Sequence, residues 1–168
     1  ARGYVPLPLK IKNKKACVNV HNSDDKCFYW SVASALHPAE RNINSTSSYP
    51  YVNNLIRPWM QVPMQMTDLC KFEKEHNLSI NIFELDDKQQ VVGPTRLTKN
   101  RRSTHINLLY FENHFCWIKN LSRLVSMQLS LNKCKKHLCE ICFQYFGSNE
   151  LLINHESSSC IKVRTFTP

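Results

Sequence analysis

Asp24-Asp25-Lys26-Cys27-Phe28-Tyr29-Trp30-Ser31-Val32-Ala33-Ser34-Ala35-Leu36 reads as a polar turn that delivers a cysteine to the first turn of an apolar helix. Phe28, Val32, Ala35 and Leu36 recur at i, i+4, i+7 and i+8, the spacing of one buried helical face. Ser23, Asp24 or Asp25 is placed to cap that helix by accepting a bond from its free amides. Cys27 then sits where unpaired N–H groups and the helix macrodipole favour an anion, which lowers a thiol pKa and prepares a nucleophile. The competing reading is packing, because free cysteine is among the most buried residue types.

Upstream, Cys17, Val18 and Val20 suggest a short strand that ends in the turn signal His21-Asn22-Ser23-Asp24-Asp25. Asn19, His21 and Asn22 lie just before the cysteine, and an amide side chain there, Asn22 above all, can donate to an oxyanion. Its competing role is support of the turn. The first fifteen residues are rich in Pro and Lys and predict an extended arm or edge strand with solvated lysines.

The 168-residue length fits one domain with a real core and a small appendage. Lys and Arg number 22 against 13 Asp and Glu, a formal charge of +9 that favours nucleic acid, anionic surfaces or acidic protein patches. Four of the eight cysteines are explained by the metal site described below, so the chain is expected in a reducing, intracellular compartment, cytoplasmic or nuclear. There is no run long enough to cross a membrane and no signal-peptide core.

Downstream, Tyr51 to Ile56 predicts a short helix, and Leu69 to His76 a better one, with Thr67 or Asp68 as cap. Leu69, Phe72 and Cys70 are expected inward, Glu73 outward, and Asn77 at the stop. Two strands follow, Leu78 to Leu85 and Gln90 to Leu97, the second interrupted at Gly93-Pro94. Lys99-Asn100-Arg101-Arg102-Ser103-Thr104 is a basic loop open to an acidic partner. The second decisive element is a hairpin: His105 to Phe111 is one strand, Glu112-Asn113 the turn, and His114 to Lys119 the return. His114 stands at the mouth of that hairpin. A cysteine on a helix N-terminus followed by a histidine on a strand is the chain order of papain-like proteases, in which imidazole deprotonates the thiol and later protonates the leaving amine. A third, orienting group is harder to place. Asn120 lies six strand positions from His114, about 20 Å away at strand rise, whereas Glu112 reaches the ring if the turn folds back.

After a short helix over Leu121 to Leu129 the composition changes. Cys139-x2-Cys142, twelve residues, His155, four residues and Cys160 have the spacing of a ββα zinc finger with a terminal cysteine. Phe146 and Leu152 fill its small core. The ligand set implies structural Zn2+. Leu151 and Ile153 are poor base readers, so a lone finger of this kind suits a lid or a protein contact better than DNA reading.

Asp25-Lys26-Cys27-Phe28 with Trp30, the segment from Val62 through Cys70-Lys71-Phe72-Glu73-Lys74, Asn107-Leu108-Leu109, His114 through Asn120, and the finger together resemble a module of large proteins of invertebrate mobile elements. That module commonly sits beside a viral-type DNA polymerase, and the likeness runs from about Ala16 to Cys160. The catalytic portion also resembles papain-fold deubiquitinases of the ovarian-tumour and herpesvirus-tegument types. Asp24 matches the former's Asp three residues before the nucleophile, although Asp25 replaces the glycine that follows it there. Glu112 stands where the tegument type carries an Asp two residues before its histidine.

These resemblances imply an α+β, papain-like cysteine protease domain over 1–131 and a C-terminal zinc finger and tail over 132–168. They imply a deubiquitinase that cleaves after the Gly-Gly end of ubiquitin or a ubiquitin-like modifier. Cys27 is then the nucleophile, His114 the base and acid, Asn22 with the Cys27 amide the oxyanion site, and Glu112 the orienting acid. Phe115, directly after the histidine, and Trp30 would contact substrate, Phe115 by closing over a glycine. Two alternatives remain: a protease that matures a mobile-element polyprotein, and a non-catalytic module that binds nucleic acid through the basic loops and the finger.

Overall fold

The computed structural model describes residues 3–130, 134–158 and 160. The expected boundary between 131 and 132, and the tail beyond Cys160, lie outside the described residues. Five strands form one sheet: β1 (Cys17–Val18), β2 (Ser79–Leu85), β3 (Val91–Arg96), β4 (His105–Phe111) and β5 (His114–Ile118), in the order β1-β5-β4-β2-β3. All neighbours are antiparallel except β2 and β4. The architecture is α+β.

Alternation along the strands explains the layers. Ile80 and Ile82 of β2, Ile106 and Leu108 of β4 and Phe115 of β5 face one core, which α2 (Cys27–Leu36) and α3 (Leu69–His76) complete with Phe28, Tyr29, Val32, Leu69 and Phe72. Phe83, Leu109, Phe111, Cys116 and Ile118 face the opposite core, covered by Ile11, Leu121, Leu124 and Val125. The last three belong to α4 (Leu121–Leu129), whose N-cap Asn120 accepts a bond from the Arg123 N–H. A sheet covered on both faces needs strands with apolar residues at consecutive positions, and β2, β4 and β5 supply them.

The hairpin joining β4 and β5 turns on Glu112 and Asn113, both left-handed at φ 49° and 59°. This two-residue turn matches the twist of its strands and pairs Phe111 with His114. Val91–Arg96 runs through Gly93-Pro94 as one strand, with its register to β2 shifting between Ile82 and Glu84. The N-terminal stretch differs from the expected arm: Leu9–Lys12 form a single helical turn, α1, because the Pro8 carbonyl accepts from both Ile11 and Lys12 N–H, which drives Ile11 into the second core.

Two expectations for α3 reverse. Cys70 is exposed, and Glu73, expected outward, is 3% exposed beneath β3. Its carboxylate pairs with Arg96 and accepts from the Ile80 N–H at 2.8 Å and the Thr98 hydroxyl at 2.6 Å. Burial alone pushes the Glu73 carboxyl up, but these three donors and the Arg96 charge outweigh it and hold it below its ordinary range. The carboxylate therefore ties α3, the inner strand β2 and the edge strand β3 together. Glu73→Ala should lower stability by about 3 kcal/mol, since it strands Arg96 and a buried amide, with Glu73→Gln costing less. Denaturant titration of the two variants measures this.

Candidate active site and metal centre

The loop entering α2 is built on Asp24. One carboxylate oxygen accepts from the Lys26 N–H at 3.0 Å, and the carboxylate receives the Trp30 indole N–H at 3.1 Å. Asn22 donates its amide to the Asp24 carbonyl at 2.8 Å and to its carboxylate at 3.1 Å. Lys26 occupies the N-cap without a side-chain cap bond, so the expected capping by Ser23, Asp24 or Asp25 is replaced by this folded loop. The loop fixes the position of Cys27 rather than the end of the helix.

Cys27 is 7% exposed. Burial raises its thiol pKa, opposed by the backbone amides of Phe115, Phe28 and Cys27 itself, and the nearby Asp24 charge raises it further. The expected depression by the helix N-terminus is thus overturned: the resting group is a thiol. The Phe115 amide beside the sulfur belongs to the residue after His114, so α2 brings nucleophile and base candidates to one place.

His114 is 1% exposed. Its Nε2 lies 2.7 Å from Asn19 Oδ1, while the Asn19 amide nitrogen donates to the Val5 carbonyl at 2.8 Å. Because the Asn19 amide nitrogen is turned to the Val5 carbonyl, its oxygen faces the ring as an acceptor, and Nε2 must carry the ring proton. Nδ1 then holds the lone pair and is buried with no hydrogen-bond partner. Burial lowers this imidazole to about 4, so it is neutral at pH 7. No hydrogen bond joins Nδ1 to the Cys27 sulfur in this state.

The remaining predicted site residues take other places. Asn22 has committed its donors to Asp24, so it does not present them to an oxyanion. Glu112 is an exposed turn residue, and Asn19 holds the ring in its stead. Phe115 packs edge-on against Phe28 at 5.5 Å between ring centroids and lies 4.7 Å from Tyr110, as a wall of the core instead of a lid. Trp30 is half-buried and clamps Asp24. Asn19 was legible only as one amide among several before the cysteine. Its partner follows from the pairing of Cys17 with Ile118 and Val18 with Trp117, which continues Asn19 toward the start of β5.

The C-terminal region forms strands β6 (His137–Leu138) and β7 (Tyr145–Phe146) and helix α5 (Asn149–Ser158). The ligand atoms of Cys139, Cys142, His155 and Cys160 all lie within 4.8 Å of one another. The knuckle closes by bonds from Phe143 N–H to the Cys139 carbonyl and from Cys139 N–H to the Gln144 carbonyl, with Phe143 left-handed at φ 63°. Three thiols and an imidazole converging on one point suit a soft to borderline metal ion. Leu138 and Phe143 belong to the second core, so the knuckle is part of the main body's packing.

No family model, curated protein or solved structure matches the chain. Among the described residues no helix is long and apolar enough to cross a membrane.

His114 and His105 both titrate near 4 in the folded chain, chiefly through burial, against an ordinary value of 6.5. The unfolded chain therefore binds their protons first as pH falls. Their contribution to stability is complete above about pH 6.5 and is lost progressively down to about pH 4. Urea titrations across that range should show a shallower pH dependence in His114→Gln than in the parent.

Proposed function

We propose that this chain is a papain-like cysteine protease with a structural zinc finger, acting on the glycine-ended tail of ubiquitin or a ubiquitin-like modifier. The observation that carries the reading is the Asn19–His114 hydrogen bond. It fixes the ring proton on Nε2 and leaves Nδ1 bare, the protonation state a general base requires, while the amide of the next residue, Phe115, reaches the sulfur of the helix-borne Cys27.

His114 Nδ1 takes the Cys27 proton as the sulfur attacks the substrate carbonyl. The Cys27 amide supplies a donor to the oxyanion. The C–N bond breaks as the imidazolium returns its proton to the leaving amine. Water, deprotonated by the same imidazole, then attacks the thioester and frees the carboxylate and the thiol. Asn19 keeps the ring oriented and its Nε2–H bonded throughout, the part that Glu112 was expected to play. A neutral resting pair suits a site where the ion pair forms only as substrate enters. The glycine preference rests on the resemblance to deubiquitinases in the sequence around Cys27 and His114.

Cys139, Cys142, His155 and Cys160 would hold Zn2+, which here supplies folding energy and no chemistry. A protease maturing its own polyprotein would use the same Cys27 and His114. A nucleic-acid module would instead bind through Lys99, Arg101 and Arg102, with affinity that falls steeply in salt and survives Cys27→Ala.

Incubation with ubiquitin bearing a C-terminal thiol-reactive group should give a covalent adduct on the parent, read by intact mass, that is absent in Cys27→Ala and reduced at least about 100-fold in rate in His114→Ala. No adduct with ubiquitin or any ubiquitin-like probe would defeat the deubiquitinase assignment. Asn19→Asp places a charge on the ring and should move the acid limb of the pH–rate profile upward from about 4.

Elemental analysis should find one zinc per chain, lost in Cys139→Ser. Because Leu138 and Phe143 line the second core, chelation should also lower the melting temperature of the main body.

A further inference from the structure

The segment before α1 crosses the candidate site. The Tyr4 N–H donates to the Asn22 carbonyl at 2.8 Å, and the Val5 carbonyl accepts from Asn19 at 2.8 Å. The Tyr4 ring lies edge-on to His114 at 6.4 Å between centroids and tilts over His21 at 4.0 Å. An extended stretch of chain thus touches the base, its orienting amide and the loop that leads to the nucleophile.

Its attachment is uneven. Val5 and Leu7 pack against the second core, whereas Tyr4 is 39% exposed and is held by one main-chain bond and its ring contacts. Val5 is therefore an anchor from which the preceding residues can lift without disturbing the Asn19–His114 pair. Gly3 makes the closest approach. A Cβ there would fall 2.9 Å from the Asn22 carbonyl oxygen and 3.2 Å from the Ser23 Cα, both backbone atoms of a loop that Asp24 and Asn22 hold rigid. Only glycine fits against Asn22-Ser23 without displacing main chain.

We propose that Gly3–Val5 is a built-in occupant of the peptide channel, and that the channel takes an extended peptide with glycine against Asn22-Ser23. This deepens the protease reading and rests on it for the word substrate. The covering contact itself does not. The bond from Tyr4 N–H to the Asn22 carbonyl is of the kind a bound peptide backbone makes, and an incoming chain replaces it one for one. A cavity beside the segment, lined by Tyr4 and Leu7 of the segment together with Ile11, Cys17, Asn19 and His21, runs along β1 and offers a mixed apolar and polar path to an incoming chain.

The test uses two full-length variants, Gly3→Val, whose side chain pushes the segment off the loop, and Tyr4→Ala, which removes its ring. Carbethoxylation of His114 and alkylation of Cys27 by iodoacetamide are followed by peptide mass mapping. A several-fold rise in either rate in both variants is the expected result; unchanged rates at both residues overturn the proposal. On Gly3→Val, the free peptide acetyl-Ala-Arg-Gly-Tyr amide at millimolar concentration should restore protection, and its Gly→Val analogue should not. Equal effects of the two peptides, or none, would overturn the glycine assignment. None of these readouts needs turnover, so an inactive protein that still shows the rise refutes the protease reading and keeps the covering segment.

Discussion

The edge-on contact of Phe28 with Phe115 is the interaction on which the candidate site depends. Each ring directly follows one of the two candidate residues, so docking the rings places Cys27 and His114 at the same end of the helix–sheet interface. An aromatic pair of this geometry contributes about 0.5–1.5 kcal/mol beyond its burial. Phe72 meets Phe28 at 5.0 Å and Tyr110 meets Phe115 at 4.7 Å, so each ring is held from a second side. A loose ring here would let the Cys27 sulfur drift from the Phe115 amide that reaches it. The apolar core thereby sets the precision of a polar site.

The polar groups around that core are economical. Asn19 divides its amide between Val5 and His114, Asn22 gives both donor contacts to Asp24, and Asp24 receives Lys26 and Trp30. Among the described residues three buried acceptors remain without hydrogen-bond partners, Asn22 Oδ1, Asp25 Oδ1 and His114 Nδ1. A buried polar atom without a partner opposes folding, and such atoms gather where a bound molecule or a chemical step will use them. The bare Nδ1 of His114 is one such unpartnered atom.

How far the sequence disclosed this follows from the range of the forces involved. The α2 face, the Glu112-Asn113 turn and the cysteine-histidine spacing of the finger are local patterns, and each is visible within a few residues. The orienting residue was not, because Asn19 and His114 meet only when β1 adds to the outer edge of β5, 95 residues further along the chain. Glu73 misled for the same reason. A carboxylate on a helix surface predicts solvent, and only the arrival of Arg96, Thr98 and the Ile80 amide makes burial tolerable. The thiol pKa ran against expectation because burial outweighed the local amides, a balance that no sequence window contains.

The cluster of Cys139, Cys142, His155 and Cys160 joins the main body by polar as well as apolar contacts. Ser79 meets His105 Nδ1 at 2.8 Å, His105 Nε2 meets Asn107 Oδ1 at 3.0 Å, and Asn107 donates to Glu140 within the knuckle at 3.2 Å. Asn107 presents its oxygen to the ring and its nitrogen to the carboxylate, so Nε2 carries the proton and Ser79 donates to Nδ1. The Arg102 N–H in turn donates to Ser79, and Arg101 reaches Glu140 at 3.4 Å. The basic loop that on sequence looked free for an anionic partner is therefore partly occupied from within, clasping the knuckle. Arg101 and Arg102 thereby hold the loop against Glu140, Ser79 and Leu78. The exposed Arg101–Glu140 pair contributes little by itself. The buried chain from Ser79 to Asn107 gives the contact its geometry, because loss of any member leaves its neighbour unsatisfied between β2 and β4.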